Sequence, residues 1–106
     1  MQEILFYMTM ETQFYILLSL KTINGFVNYA QYFIGNDRNG AENLFSQLNG
    51  TKIPNESIAL HIDFMETVEE LPVKVKTIAC TLNELSDNLR IITRELFRRY
   101  NLDELN

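Results

Sequence analysis

What most constrains this chain is that its apolar residues switch twice from a spacing of two to a helical spacing. Phe14, Ile16, Leu18 and Leu20 alternate with Tyr15, Leu17, Ser19 and Lys21, the pattern of a strand with one face in a core. Asn24-Gly25 comes next, and both residue types accept the positive φ of a type I′ turn, so the aromatic-rich run Phe26 to Ile34 is predicted to return as the second strand of a hairpin. Asn36 or Asp37 then caps a helix over Arg38 to Asn49, with Ala41, Leu44, Phe45 and Leu48 on its inner side. Gly50 is expected just past its end, as a left-handed C-terminal residue.

The second half repeats the switch. Ser57 to Glu66 sets Ile58, Leu60, Ile62 and Phe64 against Ala59, His61 and Asp63, a half-buried strand. After Pro72, Val73 and Val75 alternate with Lys74 and Lys76, which predicts a fourth strand to about Ala79 and a hairpin turn near Thr67 to Glu70. Thr81-Leu82-Asn83-Glu84 is a capping box. It opens a helix to about Tyr100 with the spine Leu82, Leu85, Leu89, Ile92 and Leu96, flanked by Phe97 and Tyr100. The fold class is therefore α+β: two successive ββα units forming a four-stranded, mainly antiparallel sheet with two helices on one face. A chain of 106 residues fits one domain, placed at 14–102. Residues 1–13 form an N-terminal extension or edge strand and 103–106 a tail.

Composition narrows the function by exclusion. A net charge of −5 repels polyphosphate backbones and anionic membranes, so nucleic acid and membrane are not the expected partners. Cys80 is the single cysteine and forms no intrachain disulfide, which suits a reducing, cytoplasmic setting. The apolar run Ile4 to Met8 is too short to span a bilayer and lacks the flanks of a signal peptide. Without a secretory route, Asn49-Gly50-Thr51 and Asn55-Glu56-Ser57 are chance matches to the glycosylation pattern.

Ser19-Leu20-Lys21-Thr22, Phe33-Ile34-Gly35-Asn36, Leu71-Pro72-Val73, Ala79-Cys80-Thr81-Leu82 and Ile91-Ile92-Thr93 resemble segments of an uncharacterised family of small bacterial proteins. The resemblance covers about Phe14 to Leu102. It implies no activity and supplies no functional residues.

His61, Asp63 and Cys80 are the residue types of a nucleophile with its base and orienter. With Glu66 opposite Leu71, Asp63 opposes Lys74 and His61 opposes Lys76 on the face away from the apolar stripe, and Cys80 lies about 13 Å further along the strand, beyond hydrogen-bond reach. No catalytic, cofactor-binding or metal residues are assigned, since one imidazole and one thiol do not make a zinc site. Arg90, Arg94 and Arg98, with Arg99, form a basic ridge that suits the helix dipole and pairing with Glu95. Gly35-Asn36-Asp37-Arg38-Asn39-Gly40 lacks the lysine-serine ending of a phosphate loop and reads as capping.

The first hairpin stands apart. An Asn24-Gly25 turn pairs Leu17 with Tyr32 and Tyr15 with Ile34, so these four are expected to form an apolar patch opposite Ile16 and Leu18. The alternatives are that residues Ile4 to Met8 cover it, that a second copy does, or that the strand faces are the reverse of this assignment. The function expected is a non-enzymatic interaction module, homodimeric through the first hairpin. The alternatives are a small enzyme whose site forms between subunits with Cys80 or His61, and nucleic-acid binding through the Arg90, Arg94 and Arg98 ridge.

Overall fold

The computed structural model describes residues 12–52 and 58–100; the expectations for residues 1–11, for Asn55-Glu56-Ser57 and for the tail fall outside them. The elements are β1 (Gln13–Thr22), β2 (Gly25–Gly35), α1 (Arg38–Ser46), β3 (Leu60–Val68), β4 (Leu71–Cys80) and α2 (Leu82–Arg99). All four strands pair antiparallel in the order β2-β1-β3-β4, so the chain is an α+β protein. No described helix is long and apolar enough to cross a membrane.

The hairpins close differently from the sequence pattern. In the first, Thr22 pairs with Gly25, so Ile23 and Asn24 make the turn. Gly25, at φ +105°, follows the turn as the first residue of β2 rather than forming half of a type I′ pair. The left-handed pair occurs in the second hairpin instead, at Glu69 (φ 51°) and Glu70 (φ 69°), between the partners Val68 and Leu71. The two turns lie 46 positions apart, Thr22 to Val68 and Gly25 to Leu71. Leu17 faces Asp63, its equivalent at the same offset (63 − 17 = 46). An approximate two-fold axis thus passes between them, and β2 and β4 are matching edges.

Both helices lie on one face. Phe14, Ile16, Leu18, Ile34, Ile62, Phe64, Ile78 and Cys80 meet Ala41, Leu44 and Phe45 of α1 and Leu85 and Ile92 of α2 in one cluster, with the Phe45 and Phe64 rings stacked at 5.4 Å. The capping box is formed, Thr81 Oγ1 accepting from Glu84 N and Glu84 Oε1 from Thr81 N. Leu82 leaves the predicted spine, being 74% exposed, because the first helical position points past the sheet's end.

α1 stops at Ser46, short of the predicted Asn49. The chain there has other partners: Asn49 N donates to Asn88 Oδ1 at 2.7 Å, and Asn88 Nδ2 donates to Asn49 O at 2.8 Å. Thr51 then bridges Ala79. Gly50 is not left-handed. It is required because a Cβ there would sit 2.7 Å from Ala79 O. At the other end Arg38 donates to Glu66 Oε2 at 2.6 Å and lies over the Phe14 ring, tying the start of α1 to the sheet.

Candidate functional site

Among the described residues no helix lies over the second face of the sheet, although several side chains on that face are buried. Alternation from the core positions assigns Tyr15, Leu17 and Ser19 of β1 to it, with His61, Asp63 and Met65 of β3 as their partners. β2 adds Phe26, Asn28, Gln31 and Phe33, and β4 adds Lys74, Thr77 and Ala79.

The predicted patch is split by this register. Tyr15 pairs with Phe33 and Leu17 with Gln31, whereas Tyr32 pairs with Ile16 on the helix side. Ile34 is the extra residue of a bulge and enters the core, 4% exposed. The Tyr29 bulge is the cause: moving the turn back by one residue shifts the register by two and keeps the faces, whereas the one extra residue at Tyr29 sends the rest of the returning strand to the other face. Tyr15 and Leu17 therefore share a face with Phe33, whose ring lies 5.7 Å from that of Tyr15, and not with Tyr32 and Ile34. Phe26 and Phe33 are the residues that sequence reasoning missed. The usable signal was Gly25, whose freedom to take a positive φ suits the residue just after a turn as well as a turn centre.

The polar residues of this face form a cleft of about 420 Å³ lined by Ser19, Phe26, Asn28, His61, Asp63, Lys74 and Thr77. Asp63 is 5% exposed; its carboxylate accepts from Thr77 Oγ1 at 2.7 Å and lies 3.7 Å from Lys74 Nζ. The expected pairing of Asp63 with Lys74 thus survives as a diagonal contact, although the residues directly opposite are Thr77 for Asp63 and Ala79 for His61. The turn at Glu69-Glu70, two residues tighter than the predicted loop, and a bulge between Phe64 and Met65 together account for the change, and the bulge puts Lys76 on the helix side, opposite Phe64.

Ser19, His61 and Asp63 are neighbours here, but they are not wired as a relay. Ser19 Oγ donates to Asn28 Oδ1 at 2.8 Å, and Asp63 is engaged by Thr77 and Lys74. His61 lies against Phe26, ring centroids 4.4 Å apart and tilted by 39°, with its Nε2 buried and lacking a hydrogen-bond partner among the described residues. Cys80 is opposite Leu60, one residue past the partner of His61 and through the sheet from it. The sheet itself, rather than 13 Å of strand, separates thiol from imidazole. Burial, with the Glu84 carboxylate second, pushes the Cys80 thiol up to about 11, which suppresses the nucleophilic thiolate.

On α2, Arg98 and Arg99 pair with Glu95, and Arg99 also donates to Ile34 O at 3.1 Å. Arg90 and Arg94 remain exposed. The 35–40 loop is structural: Asp37 occupies the cap position of α1, and a Cβ at Gly40 would meet Asp37 Oδ2 at 2.6 Å and Arg99 Nη2 at 2.7 Å. Among the described residues no group of three or more metal-ligating side chains converges.

The two sheet edges differ sharply. β4 carries Pro72, Lys74 and Lys76 and is bridged by Thr51, the devices that block edge pairing. β2, GFVNYAQYFIG, has neither a charge nor a proline over eleven residues. Phe26, Val27, Tyr29 and Phe33 on it are 43%, 51%, 49% and 52% exposed.

Comparison with models of protein families, with curated proteins and with solved structures finds no match to this chain.

Proposed function

We propose that this protein is a small non-enzymatic interaction module that self-associates through its first hairpin, by pairing the β2 edges of two copies. The observation that carries the reading is the contrast between matched edges, β4 guarded by proline, lysines and Thr51 and β2 by nothing of the kind. An uncharged strand meets its own copy without like-charge repulsion, and antiparallel pairing of identical strands is self-complementary about a two-fold axis. Two bulges divide the edge near Tyr29 and Ile34. An axis at Tyr29 sets Gly25 to Asn28 of one copy against Ala30 to Phe33 of the other. The backbone strip alone falls short of the roughly 1,200 Å² that a stable dimer buries, so Phe26, Val27, Tyr29 and Phe33 supply the remainder. The uncoupled Ser19, His61 and Asp63 and the buried Cys80 favour binding over catalysis. The likeness to small bacterial proteins and the lone thiol fit a cytoplasmic setting.

Light scattering after size exclusion tests the reading. The wild type is expected at twice the mass of the chain at tens of micromolar. Tyr29→Lys, which puts two ammonium groups face to face at the axis, gives a folded monomer with unchanged circular dichroism. A wild type that stays monomeric up to millimolar concentration sinks the proposal. If deleting residues 1–11 from such a monomer then produces the dimer, the edge belongs to the chain's own N-terminal segment.

A further inference from the structure

We infer that the cleft on the helix-free face, between Phe26 and Lys74, is a binding site for a neutral, hydroxyl-rich ring of the sugar class. Its volume of about 420 Å³ falls within the range of roughly 300–1,000 Å³ typical of small-molecule sites. Six of its seven lining residues carry polar groups, although carbon makes up the larger part of the surface they expose to the cleft. A ligand that leaves such walls satisfied must itself offer many hydrogen-bonding groups.

Charge and donor inventory narrow the class. Asp63 and Lys74 offset one another at 3.7 Å, so an anion meets the carboxylate and a cation meets the ammonium, and a neutral ligand avoids both. The cleft mixes donors and acceptors at close quarters. Lys74 and the Asn28 amide donate, the Asp63 carboxylate accepts, and the Ser19 and Thr77 oxygens keep free lone pairs after donating to Asn28 and Asp63. Hydroxyl groups, each both donor and acceptor, match such walls without regard to which way round they arrive. Phe26 is 43% exposed and leans on the His61 ring. Its electron-rich ring face complements the polarised C–H bonds on the flat side of a pyranose. The buried His61 Nε2 beside it, without a hydrogen-bond partner among the described residues, is the kind of unsatisfied group that points to a missing neighbour. All seven residues stand on paired strands, so the polar walls are already placed before a ligand arrives.

The test is a series of amide nitrogen-proton spectra of the full chain titrated with glucose, galactose, mannose, N-acetylglucosamine, maltose, cellobiose and lactose, each to about 50 mM, an excess over the low-millimolar Kd expected of such small ligands. At least one sugar should shift the amides of Ser19, Phe26, Asn28, His61 and Thr77 while leaving α1 and α2 in place. Phe26→Ala should weaken that sugar about tenfold or more, and Phe26→Tyr should preserve it. Asn28→Ala, read the same way, is the second variant and should also weaken it. The inference is overturned if no sugar moves these amides, if the shifts survive both Phe26→Ala and Asn28→Ala, or if adenine or inorganic phosphate binds there while every sugar fails. Dimerisation is read separately by light scattering on the same samples, so loss of one property does not mimic loss of the other.

Discussion

Single residues carry the clearest departures from local preference. Glu69 and Glu70 both hold a left-handed backbone, which costs a residue with a Cβ on the order of 1 kcal/mol or more. Asn and Gly adopt that conformation readily, so Glu69→Asn with Glu70→Gly should raise stability by about 1 kcal/mol. The check is a higher urea midpoint at unchanged slope. Cys80 gives the opposite kind of prediction. Its thiol, 2% exposed, holds its proton to about 11 against an ordinary 9.0. The folded state therefore binds that proton more tightly than the unfolded state, and the stability it adds is complete below pH 9 and lost as pH climbs toward 11. Cys80→Ala should flatten that part of a stability profile against pH, and native Cys80 should resist alkylation until the protein is unfolded. Neither feature is legible from sequence: a glutamate pair predicts no left-handed turn, and a lone cysteine says nothing of its depth until the register of β4 is known.

At the scale of elements, position along the chain was readable and facing was not. Each strand and each helix falls close to its predicted place, because alternation and helical spacing are properties of burial that a sequence records directly. Turn position and bulges decide facing, and there the Asn24-Gly25 pair misled: the turn lies one residue earlier, and bulges at Tyr29 and Ile34 leave Tyr32 and Ile34 turned inward. The end of α1 was hidden for a related reason, since the side chain that captures Asn49 comes from Asn88, 39 positions away. Asn88 is fully buried. Asn88→Ala leaves both Asn49 backbone groups without partners at a part-buried site and should cost roughly 2–4 kcal/mol. Ile92→Ala, at the centre of α2 and likewise fully buried, should cost about 2–5 kcal/mol by cavity formation. Urea unfolding of the two variants measures both, and a loss of only a few tenths of a kcal/mol at Ile92 would contradict the packing of α2 on the sheet.

At the scale of the whole molecule, the sheet has two edges in matching positions, and among the described residues only β4 carries a proline, lysines and a bridging residue. The polar cleft was out of reach for sequence reasoning because its walls come from all four strands and their bulges, although His61, Asp63 and Lys74 were each placed on the correct face. The free edge was in view all along as an eleven-residue stretch without charge or proline. Strand order is what turned that composition into an exposed border. In a monomer, alternate amides of β2 bond to β1 and the others point outward, where they exchange with solvent at close to unprotected rates. Amide hydrogen exchange across Gly25 to Gly35, followed over a dilution series, therefore tests edge pairing most directly. The account predicts that the outward-pointing amides are protected at hundreds of micromolar and lose that protection on dilution or in Tyr29→Lys, while the amides bonded to β1 keep theirs. Outward amides that exchange freely at every concentration, or protection that dilution leaves untouched, would contradict it.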